Sequence, residues 1–173
     1  MCKYIRLICI SVCCLFSISI SAQNPNVWTG LAGTSQWHNA GNWSAGIPSA
    51  NQEITINGAT VDLTGSPGVA AHISMIGGAT LNIDNSLTIN GSMSTDPALL
   101  HGINADDGIL NVSGNLNCSL AEQHGIFLDN SSQLNLTGDL VIDNSGLSGI
   151  YAQGNSSIDI NGFNLFSIDN STN

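Results

Sequence analysis

From residue 53 onward the chain alternates apolar and polar positions in short bursts, and the bursts repeat. The phrases VDLTG (Val61 to Gly65), LNIDN (Leu81 to Asn85), LNVSG (Leu110 to Gly114), LNLTG (Leu134 to Gly138) and IDING (Ile158 to Gly162) share one pattern. Each sets two apolar residues two positions apart, with Asn or Asp between them and a turn behind. Alternation of this kind, rich in β-branched residues and bounded by Gly, Asn and Ser, predicts short half-buried strands.

The phrases recur at intervals of 20, 29, 24 and 24 residues, counted from Val61 through Leu81, Leu110, Leu134 and Ile158. A second strand precedes each one: EITI (Glu53 to Ile56), HISM (His72 to Met75), HGINA (His101 to Ala105), HGIFL (His124 to Leu128) and GIYA (Gly149 to Ala152). A third follows in SLTIN, NLNCS, DLVID and LFSID. Three short strands in a unit of a little over twenty residues are the arithmetic of an all-β parallel β-helix. One such coil cannot bury its inward Ile, Leu and Val alone, whereas stacked coils form a continuous apolar column. A β-sandwich also needs many short strands, but nothing in it requires the same three-strand phrase to recur in order. The expectation is a solenoid of about five coils, right-handed by analogy with coils of this length. The extra stretch GSMSTDPALL, Gly91 to Leu100, predicts a loop at one corner of the second coil, with Asp96-Pro97 as its turn.

The N-terminus changes the compartment. Lys3 and Arg6 precede an apolar run from Leu7 to Ile20 that ends in Ser21-Ala22, the layout of a secretory signal peptide. The run is too short to span a membrane comfortably. The predicted organisation is a signal peptide over 1–22, a cap segment over 23–52, and coils over 53–173 that either are a fragment of a longer run or meet further coils end to end at their open end. Lys3 and Arg6 are the chain's whole complement of Lys and Arg, against twelve Asp and Glu. Without them no fixed cation remains, which excludes nucleic acid, nucleotides and anionic membrane surfaces as partners held by charge. Four of the five cysteines also lie in the leader, leaving Cys118 with no partner for a disulfide.

All three tryptophans, Trp28, Trp37 and Trp43, precede the first coil. The segment VWTGLAGTSQWHNAGNWSAGIPSANQEITING resembles the W-x-G…W…NW…G.P opening of many bacterial secreted or surface parallel β-helix proteins of adhesin-like or haemagglutinin-like type. The matching residues are Trp28, Gly30, Trp37, Asn42, Trp43, Gly46 and Pro48. The resemblance implies a secreted or surface-exposed β-helix, often part of a larger polypeptide, and brings no single activity with it.

Several residues are candidates for chemistry. Exposed, Trp28, Trp37 and Trp43 would form a ligand-binding platform stacking on sugar faces; buried, they would cap the first coil, which their position favours. The recurring Asp-Asn pairs offer oxygens to Ca²⁺, and Asp143 with Asp169, on adjacent coils, is the pair that could share one. The copies fall at three different corners, however, as turn residues do. His101 and His124 open the same HGI phrase and are expected one above the other, with His72 near that corner; stacked imidazoles could hold a metal or respond to pH. Asp106-Asp107 with His124 faintly resembles the carboxylates and histidine of polygalacturonase-like hydrolases, but the Arg and Lys that family uses are missing.

The function expected from the sequence is therefore a non-catalytic, exported β-helix scaffold of adhesin-like character. It would present an acidic surface to glycans or proteins at the cell surface, with no cofactor. A polysaccharide lyase or hydrolase, incomplete in this chain, is the alternative.

Overall fold

A computed structural model describes residues 25–91, 100–162 and 165–169. The predicted signal peptide and most of the predicted loop Gly91 to Leu100 lie outside the described residues. A two-residue strand, β1 (Asn26–Val27), opens the described chain. The first coil contains β2 (Glu53–Asn57), β3 (Thr60–Leu63) and β4 (Gly68–Ala70). The second contains β5 (His72–Ile76), β6 (Thr80–Ile83) and β7 (Ser86–Ile89), and the third β8 (Ile103–Asp106), β9 (Ile109–Val112) and β10 (Asn115–Ser119). The fourth contains β11 (His124–Asp129), β12 (Gln133–Leu136) and β13 (Asp139–Asp143), and the fifth β14 (Ser148–Ala152), β15 (Ser157–Ile160) and β16 (Phe166–Asp169).

Each strand pairs in parallel with its counterpart one coil away, which gives three parallel sheets. Their orders are β1-β2-β5-β8-β11-β14, β3-β6-β9-β12-β15 and β4-β7-β10-β13-β16. This is the parallel β-helix that the repeated phrases predict. The register stacks like on like: Val61, Leu81, Leu110, Leu134 and Ile158 form one inward column. All but Ile158 are fully buried. In the last coil, Ile158 and Ile168 are 42% and 40% exposed, so that coil is the least packed of the five.

Two strands escaped the sequence reading. Strand β4 has only three residues, with Pro67 before it and no room for a period-two pattern, yet it pairs with β7 as the third side of the first coil. Strand β1 pairs with β2 and occupies the place that a preceding coil would take in the first sheet.

The glycine of each HGI phrase has a packing cause. Gly102, Gly125 and Gly149 share one column at the corner where the first sheet begins. A Cβ on Gly102 would run into Cys118 Sγ and lie 2.7 Å from Gly125 O, and a Cβ on Gly125 would run into Ile142 Cγ2 and lie 2.8 Å from Gly149 O. Overpacking of this kind costs about 1–3 kcal/mol. Gly102→Ala should accordingly lower the melting temperature by on the order of 5 °C in a thermal melt followed by circular dichroism.

Candidate functional site

The segment before the first coil folds over its open edges. Strand β1 covers β2, and residues 35–37 cover β3, with Trp37 N donating to Asp62 O (2.9 Å) and Asp62 N donating to Ser35 O (2.7 Å). A single 3₁₀ turn, Ala40–Asn42, is capped by Asn39, whose side chain accepts from Gly41 N. Asn42 is buried and ties the segment together: it donates to Thr34 Oγ1 (3.0 Å) and Gln36 O (3.1 Å) and accepts from Ala32 N (3.1 Å). Gly46 turns the chain at φ 81°, in the left-handed region where glycine carries no steric cost.

Trp28, Trp37 and Trp43 lie inside this arrangement. Trp28 and Trp37 each meet Trp43 edge to face, with ring centroids 4.9 and 5.1 Å apart, and Trp43 Nε1 donates to Trp37 O at 2.7 Å. Trp37 is fully buried, and Trp28 keeps only 9% of its surface in solvent. The rings spend their faces on one another and on the first coil, so the sugar platform considered for Trp28, Trp37 and Trp43 has no open ring face to work with. Removing a buried Trp costs about 3–5 kcal/mol. Trp37→Ala should lose that much in a denaturant titration, with Trp37→Phe losing clearly less.

The outer face of the second sheet carries a row of interlocked amides. Asp62, Asn82, Asn111, Asn135 and Asp159 occupy one outward column. Asn82 Nδ2 donates to Asp62 Oδ1 (2.6 Å), Asn111 Nδ2 to Asn82 Oδ1 (2.8 Å) and Asn135 Nδ2 to Asn111 Oδ1 (2.8 Å). Ser35 donates to the other oxygen of Asp62, joining the row to the cap. The polar residue between the two apolar ones in each sequence phrase is thus a rung of a side-chain ladder.

The outer face of the first sheet carries a row of flat rings. His101 and His124 stack at 5.1 Å and 15°, as their shared phrase predicts. His101 also stacks on Phe127 (4.5 Å, 6°), and His124 on Tyr151 (4.8 Å, 14°), each partner belonging to the next coil. Stacked aromatic pairs contribute about 0.5–1.5 kcal/mol beyond the area they bury. Phe127 and Tyr151 were not singled out in the sequence, although each stands three residues after the first residue of its phrase, in HGIF and SGIY. His72 lies one position out of this column, at the place Gly102 takes above it, and its Nδ1 meets His101 O at 2.7 Å. Burial pushes the His101 imidazole down to about 4, helped by His124 and then His72, and burial also lowers His124. Parallel stacked imidazoles aim their nitrogen lone pairs side by side, and a metal needs them to converge.

Asp143 and Asp169 are register partners, and Asn144 N donates to Asp169 O at 2.7 Å. Register supplies two carboxylates there, whereas Ca²⁺ takes six to eight oxygens. Among the described residues no group of three or more His, Cys, Asp and Glu could hold a metal ion. The Asn of two Asp-Asn pairs has a left-handed backbone, Asn130 at φ 51° and Asn144 at φ 55°, which is the turn chemistry their sequence suggests. Asp106 ends β8 and Asp107 follows it, whereas His124 opens the neighbouring β11, five residues or about 16 Å along the strand from Asp129, the partner of Asp106. The structure does not bring these three together, and Asp106 instead accepts from Asn130 Nδ2 at 2.6 Å. Cys118 is buried against Gly125 O, and burial pushes its thiol up to about 12.

No protein-family model, curated protein or solved structure matches the chain.

Proposed function

We propose that this chain is a non-catalytic, exported β-helix scaffold of adhesin-like type, whose amide-rich, acidic outer faces meet neutral glycans or proteins at a cell surface. The reading rests chiefly on the ladder Asp62, Asn82, Asn111 and Asn135. Its side chains are already fixed by one another at strand spacing, so contact with a partner costs little further ordering. Amides and carboxylates offer the donors and acceptors that sugar hydroxyls and peptide groups match, and no Lys or Arg beyond residue 6 biases the surface toward anions. The interior is filled by inward columns, so a partner meets the outer faces.

A glycan array probed with residues 23–173, paired with a polysaccharide-degradation assay, tests the reading. Binding without turnover is the expected outcome, and turnover of any bound polysaccharide would refute it. Asn111→Ser and Asn135→Ser should weaken the strongest hits severalfold while the melting temperature moves by only a few degrees. Unchanged binding in both variants would remove the ladder from the recognition surface.

A further inference from the structure

We propose that the ring stack His101, His124, Phe127 and Tyr151 is an acid-sensitive latch that fastens the last two coils to the rest of the solenoid. The stack bridges three consecutive coils: His101 precedes β8, His124 and Phe127 lie on β11, and Tyr151 lies on β14. Its outer end reaches the fifth coil, whose inward residues on the other two sheets are the least covered. The inward Leu134 and Ile142 of the fourth coil are fully buried, but their partners Ile158 and Ile168 in the fifth are not. On the first sheet the fifth coil is held by the pairing of β14 with β11 and, outside it, by His124 against Tyr151.

The stack is built for neutral imidazoles. The Nδ1 atoms of His101 and His124 and the Nε2 of His72 are buried without a hydrogen-bond partner. A proton added to His101 Nδ1 would enter a buried site with no acceptor, beside His124 and His72. A cation over the Phe127 face gains some attraction in return, but burial and the neighbouring imidazoles outweigh it, since the net effect on His101 is a lowered affinity for protons.

The other titratable groups on the elements packed around this corner do not offset the charge. Glu53 is the register partner of His72 and is itself engaged, and Glu122 lies in the exposed turn leading into β11. Asp106 and Asp129 stand at the far ends of β8 and β11. The Cys118 thiol stays protonated and is spent on Gly125 O, and the Tyr151 hydroxyl belongs to the stack itself. No Lys or Arg follows residue 6, so no fixed side-chain cation stands beside these imidazoles.

The sign follows from linkage. Unfolded, His101 takes a proton near its ordinary 6.5; folded, only near about 4. Between those values the unfolded chain binds more protons, so the latch is at full strength above pH 6.5 and weakens as pH falls toward 4.

Thermal melts of the wild-type chain and of His101→Phe and His124→Phe, which keep a flat ring in place, test the proposal. Acidification from pH 7 to pH 4.5 should lower the wild-type melting temperature by several degrees more than it lowers either variant's. The carboxylates are common to all three proteins and cancel. Equal losses in the three would overturn the latch. Should the variants fail to fold, imidazole NMR titration of the wild type decides: His101 titrating well below 6, with amide shifts in β14 following it, supports the proposal. Titration near 6.5, or β14 amides that do not respond, rejects it.

Discussion

Backbone pairing between coils governs this molecule. Each strand takes its hydrogen bonds from the strands above and below, about 4.8 Å away, so whatever stands at a position in one coil lies directly over its counterpart in the next. That constraint makes columns of every residue type. Inward, it turns a sequence of Leu, Ile and Val into a continuous core. Outward, it converts a repeated Asn into a hydrogen-bonded ladder and a repeated aromatic or histidine into a stack. At the corners it leaves no room for a Cβ where Gly102 and Gly125 meet the third sheet.

The same rule explains which parts could be read from the sequence. The coils were legible because like-on-like stacking requires the phrase to repeat, and the shared HGI opening placed His101 over His124. Strand β4 was not legible, because three residues held by neighbouring pairing need no alternation of their own. The rings of Phe127 and Tyr151 were overlooked for a related reason: each meets a histidine of the preceding coil, so the pairing spans two phrases and is invisible within either. The burial of Trp28, Trp37 and Trp43 could be argued from position, but which edge each part of the segment covers depends on pairings such as Gln36 with Asp62 that no local pattern encodes.

The two ends of the described solenoid are handled differently. At the first coil, β1 and residues 35–37 supply backbone partners while three indoles fill the space above the core. At the fifth, Ile158, Phe166 and Ile168 keep about two-fifths of their surface exposed, and flat rings stack outside the first sheet where β14 pairs with β11. Stability is therefore graded along the axis, with the most cooperative packing in the central coils and the most easily opened at β14 to β16.

The amide ladder has a direction. Every Nδ2 in it points toward the cap and every Oδ1 points away, so three side-chain dipoles add head to tail along the outside of the second sheet. Their positive end rests on the Asp62 carboxylate, much as the N-terminus of a helix rests on an acidic cap. A row of formally neutral asparagines thus gives that face an electrical polarity running along the solenoid axis, and a partner lying on it would meet a different potential in each of its two orientations.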